Sequence, residues 1–171
     1  MQVIAPLVTA TSEWFADDEY IERQTFAPSA GARHPLTALI LNRDRADTEH
    51  RAWAVSASVA PTLFEITNHD SHRQVLLAAV TAAVRLPTHP GTVIVALARF
   101  RRTLSKYPDG SSLVWRDAGV FLGYAHLMAH QMGLDSTLAG AAGTTAFPLP
   151  DSDDTLVDVG SIVLSEPEHA P

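Results

Sequence analysis

The apolar positions of this chain change period several times, and each change marks an element. Thr92 to Phe100 (TVIVALARF) is almost continuously apolar, the pattern of a central strand covered on both faces. Thr37 to Asn42 (TALILN) reads as a shorter buried strand. From Trp53 to Val59 the period is two, with Trp53, Val55, Ala57 and Val59 set against Ala54, Ser56 and Ser58. A half-exposed strand is predicted there, and a shorter one over Leu63 to Thr67. Ser71 to Arg85 switches to helical spacing, with Val75, Leu76, Ala79, Val80, Ala83 and Val84 on one face and Pro87 and Pro90 ending it. Val114 to Met132 reads as a long helix, apolar almost all round and therefore expected to be buried, with Gly133 as its stop. Leu156 to Leu164 reads as a last strand. Strands and helices interleave, which predicts an α+β fold on a mixed sheet.

The remaining segments are weaker. In residues 1–27, Trp14, Phe15, Tyr20 and Ile21 are spaced for a short amphipathic helix capped by Thr11 or Ser12, so this stretch is expected to be an N-terminal extension. Pro28 to Pro35 and Pro108-Asp109-Gly110 are turns. Ala139 to Thr145 is a loop of small residues, Asp151 to Asp154 an exposed acidic segment, and residues 165–171 a loose tail.

Composition narrows the function classes. In 171 residues, 46% are apolar and 18% charged, a globular balance with enough chain for one real core. The net charge of -7 argues against nucleic acid, and Arg99, Arg101 and Arg102 form the one tight basic cluster. There is no Cys, which removes disulfides, thiolate nucleophiles and thiolate-held metals. Asp17, Asp18 and Glu19 interrupt any signal-peptide pattern, and no apolar run approaches the length of a membrane span. A cytoplasmic, soluble protein is expected.

Two segments carry candidate chemistry. Pro28-Ser29-Ala30-Gly31 has small side chains that let backbone approach a flat ring or a phosphate; on its own it is a weak signal and reads better as a structural turn. Lys106-Tyr107 on its own is a solvated Lys beside a half-buried Tyr; in a site, either serves as a base if its pKa is lowered by burial or a neighbouring cation. On the long helix, Gly119, Gly123, His126 and His130 share a face. Two His four apart can hold a metal, but no third ligand pattern accompanies them, so they read as packed or interface residues and no metal is expected. His69 and His72 flank a helix start that Asp70 or Ser71 can cap.

The segment Pro28-Ser29-Ala30-Gly31-Ala32-Arg33-His34-Pro35-Leu36, with Arg102 to Tyr107 and Arg116-Asp117-Ala118-Gly119, resembles the nitroreductase-like flavoproteins. Within them it is most similar to the SagB-type dehydrogenases, which oxidise azoline rings in peptide natural products. The resemblance covers roughly residues 27–164 and makes residues 28–164 the expected nitroreductase-like domain. It implies FMN as cofactor, Lys106 and Tyr107 as catalytic residues, and a flavin bed formed by Pro28, Ser29, Ala30, Gly31 and Arg33 with Leu138, Ala139 and Gly140. It also implies a homodimer, with the long helix near the contact and a small-molecule or peptide substrate. Family members carry an Arg-x-Ser-x-Arg-like segment for the FMN phosphate ahead of the turn, whereas Arg23 is the only Arg among residues 1–27 here. The expectation is therefore weak FMN binding unless Arg23, Arg33, the 99–102 cluster or a heteromeric partner replaces that anchor. Two alternatives stay open: a flavin-free scaffold that binds a partner or carrier, and a flavin-independent enzyme using His126 or His130.

Overall fold

A computed structural model describes residues 2–16, 18–42, 51–66, 91–140, 146–148 and 154–167. The helix predicted over Ser71–Arg85, with His69 and His72, lies outside the described residues, as do most of the 139–145 loop and of the 151–154 acidic segment.

The chain opens with a one-turn helix, α1 (Ala5–Val8), and a two-stranded hairpin, β1 (Ala10–Phe15) and β2 (Ile21–Thr25). The hairpin replaces the amphipathic helix expected around Trp14 and Tyr20. Trp14 lies opposite Glu22 and Phe15 opposite Ile21. Between the strands the Asp18 carboxylate accepts the Tyr20 N–H at 3.1 Å and closes the turn that joins them. Val3, Ile4, Leu7 and Val8 belong to the main core.

The sheet is built from β3 (Leu36–Asn42), β4 (Arg51–Ser56), β5 (Phe64–Glu65), β6 (Thr92–Ala98), β7 (Asp135–Ala139), β8 (Ala146–Pro148) and β9 (Thr155–Ser165). Their order is β5-β4-β3-β6-β9-β7, with β8 also beside β9. Among the described residues every strand pair is antiparallel, and the one parallel contact is an isolated bridge between Thr9 and Ser58. The central position expected for Thr92–Phe100 holds, and its last residues turn instead into a short helix, α2 (Phe100–Leu104). Alternation on β3 and β6 splits the apolar residues between two clusters: Ala38, Ile40, Ile94, Ala96 and Ala98 on one face, Leu39, Leu41, Val93, Val95 and Leu97 on the other. The sheet is thus buried on both sides at its centre.

The long helix, α3, runs Ser111–Gln131 and covers the first face through Val114, Ala118, Phe121, Leu122, Ala125 and Ala129. Gly133, at φ 71°, ends it, and the Leu134 N–H returns to the Ala129 carbonyl. The helix is not buried all round. Trp115 and Leu127 remain 45% and 57% exposed on its outer side, where Gly119, His126 and His130 are exposed as well. Beneath α3, β9 bulges against β6 at Gly160. That residue has φ 138° and would bring a Cβ to 2.9 Å from Leu122, so only glycine fits.

Candidate functional site

The turn at Pro28–Pro35 is held open by a carboxylate from the middle of the chain. Asp117, on α3, accepts the Ser29 hydroxyl at 2.5 Å through one oxygen and the Ala30 N–H at 3.1 Å through the other. The Ser29 oxygen in turn accepts the His34 N–H at 2.8 Å. These bonds enforce a backbone with positive φ at Gly31, Ala32 and His34 (59°, 58° and 44°), a conformation that the two non-glycine residues adopt only under such constraint. Burial pushes the Asp117 carboxyl pKa up, and the bonds from Ser29 and Ala30 oppose that rise. A cavity of about 20 Å³ lies beside Ser29, His34, Asp117 and Phe121, room for no more than a water.

Lys106 and Tyr107, just past α2, come to this turn. A Cβ on Gly31 would collide with the Tyr107 hydroxyl and come within 2.9 Å of Cε2, so the phenol ring lies directly on the glycine. Lys106 Nζ donates to Glu22 Oε1 at 2.5 Å and reaches the Gly31 carbonyl at 3.5 Å. The two motifs that the sequence singled out are therefore neighbours in space. Their electrostatics differ from expectation, however. The Glu22 hydrogen bond raises the Lys106 pKa, and the same bond lowers that of Glu22. Lys106 is held as an ammonium, a proton donor and fixed positive charge, not the free base that a lowered pKa would supply.

Arg33 takes a different place from the one expected. Its side chain is fully buried, and all five of its N–H groups have partners. Nε donates to the Arg102 carbonyl at 2.7 Å. Nη1 donates to Asp18 at 3.2 Å and Glu22 at 3.5 Å, and Nη2 to Asp18 at 2.7 Å and the Ser105 hydroxyl at 2.6 Å. It clamps the hairpin to the 102–105 segment and has no donor left for a ligand. Its hydrogen bond to Asp18 holds that carboxyl at about 2. Leu138 and Ala139 lie on β7, an edge strand rather than a loop, with Gly140 immediately after. β7 is three strand positions from β3, into which the turn leads, or about 14 Å at ordinary strand spacing. His126 and His130 stand on the open side of α3, with His126 Nδ1 2.6 Å from the Ser136 hydroxyl.

Glu22 was not singled out by the sequence, and Asp18 and Ser105 were given no role in the site, since nothing local marks one; Glu22 and Lys106 are 84 residues apart. Asp117 sat within a quoted motif but had no assigned role. Among the described residues no cluster of three or more metal-ligating side chains occurs, and no helix is long and apolar enough to cross a membrane.

The exposed, small-residue surface at Pro28 and Gly31, flanked by a phenol and an ammonium, suits the flat ring of a flavin. The phosphate of FMN is not matched there: Arg33 is fully engaged and Lys106 is paired with Glu22. On this chain's own residues the fit is to the ring alone.

No family model matches the chain, and no curated protein does. Its fold does match solved structures. One is a protein of Anabaena variabilis ATCC 29413 assigned as a nitroreductase, with TM-score 0.68 and 17% identity over 96% of this chain and 34% of that one. Another is a chain of the E. coli microcin synthetase McbBCD complex with truncated pro-MccB17 bound, with TM-score 0.62 and 16% identity over 98% of this chain and 62% of that one. The fold is therefore nitroreductase-like, α+β, as the motifs implied. The chain spans about a third of the length of the first structure and 62% of the second.

Proposed function

We propose that this chain supplies one half of the site of an FMN-dependent, SagB-type oxidoreductase acting on a heterocyclic or peptide-like intermediate in natural-product biosynthesis. The observation that carries the reading is the meeting of Gly31 with Tyr107 and Lys106, from segments more than 70 residues apart, on an exposed turn. The likeness to a chain of a microcin synthetase complex supports it. Bound flavin supplies a two-electron acceptor. Within the proposal, Gly31 and its neighbours give the ring a backbone surface, Lys106 offers a proton and a positive charge, and Tyr107 takes or relays the substrate proton. The missing phosphate anchor, and the distant Leu138–Gly140 half of the bed, come from a second chain. That chain is a second copy joined through the open face of α3, or a heteromeric partner.

Titration with FMN and with riboflavin tests this, followed by visible absorption. Read as competition for the turn itself, both are expected to bind weakly and within about tenfold of each other, because no free cation among the described residues at the turn rewards the phosphate. FMN binding about a thousandfold tighter than riboflavin contradicts the half-site, and no binding of either by the chain with its partner contradicts the flavin reading altogether.

A second reading is favoured by one observation. Tyr107 already covers Gly31 on one side, which is how a turn looks when it is filled by its own chain. A flavin-free scaffold binding a carrier or partner accounts for that equally well, and it keeps the folded state intact when Tyr107 is replaced by Phe.

A further inference from the structure

A cleft of about 390 Å³ opens on the other side of the hairpin, lined by Glu19, Tyr20, Ile21, Arg23, Arg99, Arg101, Arg102 and Asp154. It is separate from the turn. On β2, Ile21 and Arg23 face the cleft while Glu22, between them, turns inward to Lys106 and Arg33, as strand alternation requires. Four guanidinium groups in one cleft are notable in a chain of net charge -7.

Their internal compensation is incomplete. Arg23 pairs with Glu13 at 2.7 Å and Arg99 with Asp154 at 3.2 Å. Arg102 donates only to main chain, to the carbonyls of Arg33 and Ile21. Arg101 is exposed, and neither it nor Arg102 has a carboxylate partner among the described residues. Arg102 is also pressed by its neighbours: burial, and then the positive charges of Arg23, Arg33 and Arg99, bring its pKa down to about 10. Such crowding is relieved by an anion. Glu19 also lines the cleft without an ion pair to Arg101 or Arg102, so the four guanidiniums outnumber the carboxylates Glu13, Asp154 and Glu19, and their planar, forked donors suit an oxyanion with several oxygens. The volume lies at the small end of ligand pockets, enough for a phosphate with a modest group attached. The polar lining, and a Tyr20 ring already covered by Arg33 and Arg102 at 5.0 Å and 5.3 Å, offer little to an apolar ligand.

We propose that this cleft, through Arg23, Arg99, Arg101 and Arg102, binds a phosphomonoester dianion, free or carried on a nucleoside, at a site distinct from the Gly31–Lys106–Tyr107 turn. The inference does not depend on the flavin reading. Calorimetric titration of the whole chain at low ionic strength, with inorganic phosphate and with AMP, tests it. Saturable one-site binding is expected. Equal affinities identify the free ion, and AMP binding about tenfold or more tighter identifies the nucleoside-borne group. Arg101→Gln, which removes an exposed and unpaired side chain and so leaves the fold unchanged, is expected to weaken binding about tenfold. Lys106→Ala is expected to leave it unchanged, whether or not the turn binds flavin. Absence of saturable binding, full affinity in Arg101→Gln, or loss in Lys106→Ala each overturns the proposal.

Discussion

At the scale of single residues, Gly31 and Lys106 concentrate the chemistry. Gly31 combines a left-handed backbone with a phenol against its Cα, so Gly31→Ala meets two penalties together. Backbone strain and overpacking sum to about 2–4 kcal/mol, and Tyr107 has to move away. Urea unfolding is expected to show that loss, while Tyr107→Phe, which removes only the hydroxyl, costs far less. For Lys106 the Glu22 contact sets the direction. Its pKa is raised in the folded protein, so the ammonium persists to higher pH than an ordinary Lys. If Lys106 works as a proton donor, activity falls as pH rises through that pKa, and Glu22→Gln shifts the fall to lower pH. A gain of activity at neutral pH in Glu22→Gln instead makes Lys106 a base that Glu22 restrains. Lys106→Ala and Tyr107→Phe are each expected to lower turnover by about a hundredfold with the fold retained. Full activity in both removes the pair from the chemistry.

At the scale of elements, the hairpin and the turn are one unit. Arg33 is its centre, a buried cation shared by Asp18 and Glu22, with Trp14 Nε1 also donating to Glu22 at 2.8 Å. Arg33→Met is expected to cost about 1–3 kcal/mol in urea unfolding, because the Arg102 carbonyl and the Ser105 hydroxyl lose their buried donor while Lys106 still pairs with Glu22. His34 adds a pH dependence. Burial lowers its pKa from 6.5 to about 4, against a hydrogen bond to the Arg23 main chain. The folded state therefore binds fewer protons than the unfolded one in that window. Stability is complete above pH 6.5 and declines as pH falls toward 4. His34→Asn tolerates the positive φ and does not titrate, so its melting temperature should stay flatter across the same range; a slope equal to wild type assigns the effect elsewhere. This unit was the part of the fold least legible in the sequence. The periodic segments declared themselves: Thr92–Ala98 as a buried strand, residues 111–131 as a helix, Leu36–Asn42 as its neighbour. The hairpin did not, because four aromatic and apolar residues within eight positions satisfy a helical spacing as well as two strands joined by an Asp18-closed turn. The ion network did not either, since Glu22 and Asp18 meet partners more than 80 residues away as well as Arg33. Asp117 shows the middle case: its segment was recognisable, but its task of pinning the Ser29 turn is visible only in three dimensions.

For the whole molecule, the open side of α3 is the surface on which a test of assembly turns. Trp115 and Leu127 expose large apolar surface there, and Leu138 on β7 is 52% exposed. Between them Gly119 and Gly123 leave open space, since a Cβ on either would meet nothing within 4 Å. Glycine in a helix interior costs about 1 kcal/mol relative to Ala, and no contact among the described residues accounts for two of them on one face. A second helix packed closely across that face does account for them, and it covers the tryptophan as well. The chain is expected to run in light scattering at twice 18.4 kDa at micromolar concentration, or to rise above 18.4 kDa only with a heteromeric partner mixed in. Gly119→Glu and Gly123→Glu separate interface from fold. Each fills open space and improves helix propensity, so monomer stability is expected to hold or rise, while association is lost through bulk and charge. An 18.4 kDa particle for the wild-type chain under both conditions means that no second chain completes the site at the turn. The flavin-free scaffold then becomes the better account of this fold.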